Sequence, residues 1–348
     1  MDFFCHYLKN TKSLDLERIK EYFRKGADPN KEDDYQRIPF HTLCLHHDVS
    51  IEALKLFFQN GADPRKTDDY SRTPLHYLCL NQNGKNNYAM YKLFFQKGAD
   101  ANKQDNSNYV TPFHWLCQNQ KAFLNKEIFR LFFQNGADMN SKAAKDNRTP
   151  FIYLCSNENK NINKEIFQLF FQKGADINSS GFGKETAFHW LCSNGNIKKE
   201  IFQLFFQKGA DVNSTTSYMK TTPFHWMCSN EKVRFENFKF FFKKGADPNK
   251  ANKDKETPFH YLFQNRKVGI SFEIVQLFFQ NGADPNKIAK DKNTPFHNLF
   301  QNRNVHINFE ILKLFIQNGA DPNQLNKKKQ TPFYLIFKKI KRNLRRLK

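Results

Sequence analysis

Histidine and cysteine recur three residues apart along this chain, as His41 with Cys44, His76 with Cys79, His114 with Cys117, His189 with Cys192 and His225 with Cys228. On a helix that spacing puts imidazole and thiol on one face, which is the chemistry of a zinc ligand pair or of a Cys–His nucleophile. Comparing equivalent positions removes both. The histidine position reads His41, His76, His114, Ile152, His189, His225, His260, His297 and Tyr334, and after six cysteines the cysteine position reads Phe263, Phe300 and Phe337. A position that accepts phenylalanine is a core position, where cysteine serves as a small hydrophobe. Two ligands per copy fall short of the four that tetrahedral zinc takes. A nucleophile needs one unique constellation in a cleft, not a repeated scaffold. The segment GFGKET at 181–186 lacks the first glycine of a phosphate-binding loop, and Glu185 stands where serine or threonine would meet magnesium. The expectation is a protein that is not an enzyme, with no metal and no cofactor.

Two features break the repetition. The residue after the histidine position is aromatic in six successive copies: Tyr77, Trp115, Tyr153, Trp190, Trp226 and Tyr261, a set that holds all three tryptophans. With about 100° per residue, Phe113, Leu116 and Cys117 point one way and Trp115 nearly opposite, so this series is expected to stay out of the core of its own copy. The second feature is charge. Early loops carry Glu32, Asp33, Asp34, Asp68 and Asp69, whereas the chain after Asp321 has ten basic residues and no acid. There Phe333, Ile336, Ile340, Leu344 and Leu347 keep helical spacing among Lys338, Lys339, Lys341, Arg342, Arg345 and Arg346. Such a helix suits either a solubilising cap or a contact with polyanions.

The elements that position these residues repeat every 35–38 residues. Gly-Ala-Asp occurs nine times, ending at Asp28, Asp63, Asp100, Asp138, Asp176, Asp211, Asp247, Asp284 and Asp321, and a Thr-Pro-Phe-His-like element keeps pace with it. Each copy predicts two helices. Thr111 is an N-cap and Pro112 suits the first helical position. Phe113, Leu116 and Cys117 make the apolar face, and Asn119, like its counterparts from Asn81 to Asn302, is expected as a left-handed helix stop. In the second helix Asn163 caps, Ile162 staples onto Phe167, and Gly174 terminates.

This pattern resembles the ankyrin repeat, whose consensus carries Thr-Pro-Leu-His on the first helix and Leu-Leu-x-x-Gly-Ala-Asp-x-Asn after the second. The resemblance implies an all-α solenoid of stacked antiparallel helix pairs with finger-like turns. It implies an atypical capping unit at 1–30, eight tandem repeats at 31–323, and a half repeat at 324–348. It further implies a histidine that ties neighbouring units together. The departures are bulky: Leu78 and Cys79 replace small alanines, Phe94 and Phe95 replace the leucine pair, and extra residues replace the glycine between the helices. The family's usual role implies a scaffold binding another protein through the concave helix face and finger loops. The six aromatics are the expected contact stripe, because tyrosine and tryptophan dominate binding hot spots. The alternative is binding of acidic lipid or nucleic acid through Lys338, Lys339, Lys341, Arg342, Arg345 and Arg346.

Composition sets the remaining bounds. A net charge of +21 could draw polyanions, but lysine, asparagine, phenylalanine and isoleucine all have AT-rich codons, so composition bias accounts for a scattered excess equally well. No apolar run approaches the ~20 residues of a membrane span. The opening MDFFCHYLKN lacks the layout of a secretory signal, and seven unpaired-looking cysteines read as reduced thiols. A monomer in the cytoplasm, with the nucleus as the other compartment, is the expectation.

Overall fold

The computed structural model describes residues 3–82, 87–195, 197–232, 234–265, 270–302 and 309–344. They form two compact units, Met1–Gly181 and Phe182–Lys348. In the first unit, first helices Phe3–Asn10, Pro39–Leu45, Pro74–Leu80, Pro112–Gln118 and Pro150–Ser156 alternate with second helices Leu16–Arg24, Ile51–Gln59, Tyr88–Gln96, Lys126–Gln134 and Lys164–Gln172. The second unit repeats the scheme. Its first helices are Ala187–Ser193, Pro223–Ser229, Pro258–Gln264 and Pro295–Gln301, and its second helices Lys199–Gln207, Phe235–Lys243, Phe272–Gln280 and Phe309–Gln317. Pro332–Leu344 ends it. Within each unit first helices pack on first helices and second on second, the layering of a solenoid.

Local chemistry sets these boundaries. Thr111 Oγ1 accepts from the His114 amide at 3.3 Å, and Asn163 Oδ1 accepts from the Ile166 amide at 3.1 Å. The glycine of every Gly-Ala-Asp adopts φ of 77–90°, which ends the second helix without a steric penalty. Lys198 and Arg234 precede second helices that have no side-chain cap.

The phenylalanines that replace the smaller residues of the consensus build the core. In the second unit, near-parallel rings run Phe188, Phe241, Phe224, Phe278, Phe259, Phe315 and Phe296, with centroid steps of 5.5, 5.4, 5.4, 4.9, 5.6 and 4.8 Å. First-helix and second-helix rings alternate in this column, so each ring belongs to the core of two successive repeats. The first unit has the same arrangement, with Phe40 between Phe57 at 5.6 Å and Phe94 at 5.4 Å, and Phe113 between Phe132 at 5.4 Å and Phe170 at 5.9 Å. Offset ring pairs add about 0.5–1.5 kcal/mol each beyond simple burial.

Three polar ladders run beside the column. The first is the histidine ladder. His225 Nδ1 accepts from its own Thr222 amide at 3.1 Å, and its Nε2–H donates to the Glu256 carbonyl of the next repeat at 3.2 Å. His76, His189, His260 and His297 repeat this with Val110, Thr221, Asn293 and Gln330. The second ladder corrects a sequence expectation. Asn81, Asn119, Asn157, Asn194, Asn230, Asn265 and Asn302 are not left-handed; their φ lies between −59° and −80° with extended ψ. The reason is tertiary. The Asn119 amide donates to the carbonyls of Cys79 at 2.9 Å and Asn81 at 2.8 Å, ending the helix of the preceding repeat rather than its own. The third ladder uses the asparagine after Gly-Ala-Asp. Asn102 donates to the Gly136 carbonyl at 2.7 Å and accepts from the Asp138 amide at 2.8 Å, clasping the next turn bidentately.

Candidate interaction surface

The histidine and cysteine positions are scaffold in the structure as well. Cys44, Cys79, Cys117, Cys155 and Cys228 have no exposure, and burial pushes their thiols well above the usual range. Among the described residues no group of three or more His, Cys, Asp or Glu could hold a metal ion. Burial holds His41, His76, His114, His189, His225 and His260 down at about 4, so all six are neutral at physiological pH. The neutral form is the one these bonds require, because a protonated Nδ1 could not accept from the amide three residues earlier, that of Ile38 for His41 and of threonine for the others.

The aromatic series lies on the first helices, three members in each unit. Tyr77 differs from the expected stripe: it is only 5% exposed, and its hydroxyl donates to Asp68 Oδ2 at 2.5 Å in the finger that leads into its helix. It therefore offers no ring face to a partner. Trp115, Tyr153, Trp190, Trp226 and Tyr261 are half-buried. The polar tips of three of them are spent on the bases of the fingers. Tyr153 donates to Asp146 Oδ2 at 3.0 Å, Trp226 Nε1–H to Thr221 Oγ1 at 2.9 Å, and Tyr261 accepts from Asn252 Nδ2 at 3.0 Å. Arg72 lies 5.8 Å from the Trp115 ring centre. Three of the rings also meet the histidine of the preceding repeat edge-on: Tyr153 meets His114 at 5.8 Å, Trp226 meets His189 at 5.5 Å, and Tyr261 meets His225 at 5.1 Å. One side of Tyr153, Trp226 and Tyr261 thus braces the scaffold, and all five rings keep part of their surface exposed. Beside Trp115 a depression of about 250 Å³ opens between successive first helices, lined by Leu80, Gln82, Gln118, Asn119, Gln120 and Lys121. In the second unit a similar depression of about 350 Å³ lies at Phe263, Gln264, Asn298, Gln301 and Asn302, where Asn298 occupies the aromatic position.

The basic helix at the end is only partly available to a ligand. Lys339 Nζ donates to the Asn302 carbonyl at 2.7 Å, closing the asparagine ladder, and its burial lowers the lysine below the usual range. Lys338 and Lys341 are exposed. Arg342 sits in the last turn of the helix, and Arg345 and Arg346 lie outside the described residues. No described helix is long and apolar enough to cross a membrane.

Charge is divided unequally between the two units. Residues 1–181 hold 25 basic and 21 acidic side chains, a net +4, and residues 182–348 hold 30 and 13, a net +17. The second unit therefore carries most of the excess that the whole-chain composition presents as diffuse.

A family model described as ankyrin repeats (3 copies) matches residues 9–105, 81–181, 113–216, 159–252 and 188–288. No curated protein matches the chain.

Proposed function

Since the chain belongs to the ankyrin repeat family, whose repeats are generally protein–protein interaction modules and typically not enzymes, we propose that it is a scaffold that binds a protein partner along its first-helix face. The observation that carries this reading is the half-exposed series Trp115, Tyr153, Trp190, Trp226 and Tyr261, one per repeat, with an open depression beside Trp115. Side chains of this type are rigid and amphipathic, and half-buried rings lose little entropy when a partner covers them. Tyr77, buried with its hydroxyl on Asp68, takes no part in contact.

Tryptophan fluorescence tests the reading directly, because every tryptophan of the chain is in the series. Affinity capture with the full chain identifies the partner, and its addition should shift the emission and protect it from acrylamide. Trp115→Phe and Trp190→Phe keep a ring against the scaffold and should lower capture at least about tenfold with little change in melting temperature. A captured partner that leaves emission and quenching unchanged would place its binding elsewhere and overturn the stripe.

A further inference from the structure

The finger tips of the second unit carry a feature that partner binding on the first helices leaves unused. Three residues before every first helix from Pro39–Leu45 onward, and before Pro332–Leu344, the chain turns through a left-handed residue that is not glycine. In the first unit these are Gln36, Ser71, Tyr109 and Asn147; in the second they are Lys184, Lys220, Lys255, Lys292 and Lys329, with φ of 53–61°. This conformation crowds any side chain against its own backbone, and asparagine or glycine tolerates it best. Codon bias does not explain the choice, since asparagine is as AT-rich as lysine and is the better residue there. All five lysines are exposed, and among the described residues none is paired with a carboxylate.

The row is rigid. Adjacent tips are joined by backbone hydrogen bonds from Ser217 to Gly183 at 2.6 Å, Lys253 to Met219 at 2.7 Å, Lys290 to Asp254 at 2.8 Å and Lys327 to Asp291 at 2.9 Å. In each case the accepting carbonyl belongs to the residue just before a tip lysine. Four of the five fingers also expose a large apolar side chain: Phe182 at 66%, Tyr218 at 73%, Ile288 at 44% and Leu325 at 50%.

We propose that this row of finger tips docks on an anionic lipid bilayer, the lysines meeting acidic headgroups while Phe182, Tyr218, Ile288 and Leu325 enter the interface. The two signals together are what reversible membrane binding requires. A nucleic-acid strand fits less well. Ile288 and Leu325 offer no stacking face, the Lys253 ammonium already lies 4.3 Å from the Tyr218 ring centre, and no arginine is present at the tips to grip phosphate bidentately. The tip lysines lie outside the helix Pro332–Leu344, and the inference does not depend on the aromatic stripe.

Co-sedimentation of the full chain with vesicles tests it, using phosphatidylcholine alone or with about 30 mol % phosphatidylserine. The wild type should bind only the anionic vesicles. A variant with lysines 184, 220, 255, 292 and 329 all replaced by glutamine should bind about 30-fold or more weakly. Its fold is safeguarded, because glutamine already occupies this left-handed position at Gln36, and circular dichroism verifies it. A second variant, K338Q with K341Q, should keep most of the binding. Equal binding to both vesicle types, or loss in the second variant with retention in the first, overturns the proposal. So does tight binding of a single-stranded oligonucleotide by a wild-type chain that ignores vesicles.

Discussion

At the residue scale the histidines have the clearest consequence. Each accepts on Nδ1 from the backbone amide three residues earlier, and His76, His189, His225, His260 and His297 also donate Nε2–H to the next repeat's carbonyl, which fixes the neutral tautomer. Six of them titrate at about 4 in the folded chain, below the ordinary value of 6.5. For a base whose folded value is depressed, the unfolded chain takes up the proton first. Stability is therefore complete above about pH 7 and falls as pH drops from 6.5 towards 4. Linkage makes the loss roughly 2 kcal/mol per histidine between pH 7 and pH 5. Thermal melts from pH 8 to pH 5 should be flat at the alkaline end and drop steeply below pH 6.5. A melting temperature that holds steady down to pH 5 would mean that these imidazoles accept protons in place. The histidine was legible in sequence as an inter-unit tie through resemblance, and the cysteine through its exchange with phenylalanine. Asn119 was not. Its side chain faces the preceding repeat, and no local pattern distinguishes an asparagine that ends its own helix from one that ends another's.

At the element scale the helix pairs, their caps and their glycine stops follow from local patterns, and the structure has them where the spacing predicts. What the spacing does not disclose is how phenylalanine changes the stack. Phe224 lies between Phe241 and Phe278 with rings inclined by 21° and 10°, so a single side chain couples two repeats. Phe224→Ala should cost about 3–5 kcal/mol, at the upper end for a buried aromatic, since the cavity opens between elements that cannot collapse independently. In a chain whose stability is a sum over neighbours, that loss falls on the interfaces that Phe224 bridges. Urea unfolding followed by hydrogen exchange should show early opening in residues 223–280 while Met1–Gly181 remains protected. Uniform loss of protection along the chain would indicate a single cooperative core instead. The finger tips were equally hidden. Lysine in a left-handed turn contradicts local preference, and such contradictions gather where another demand outweighs stability.

At the scale of the whole molecule the main fact is the division of charge, +4 in one unit and +17 in the other. The totals alone suggested a scattered excess; the sequence showed acids in the early loops and none after Asp321, and the boundary between compact units gives that imbalance its size. In the first unit ion pairs offset the charge, including Lys9 with Asp33 at 3.2 Å, Lys66 with Glu32 at 2.9 Å and Arg72 with Asp105 at 3.3 Å, the last reaching a fully buried carboxylate. The second unit has too few acids to do the same, so its lysines repel one another across the surface. Added salt should act on the two units with opposite sign. Screening weakens the exposed pairs of the first unit slightly and relieves repulsion in the second, with its net +17. Hydrogen exchange on the full chain at about 50 mM and about 0.5 M sodium chloride separates the effects. Amides in the second helices of residues 182–348 should gain several-fold protection at high salt, while those of residues 1–181 change little or lose some. Equal gains in both units would point to general salting-out and remove electrostatic repulsion as the cause.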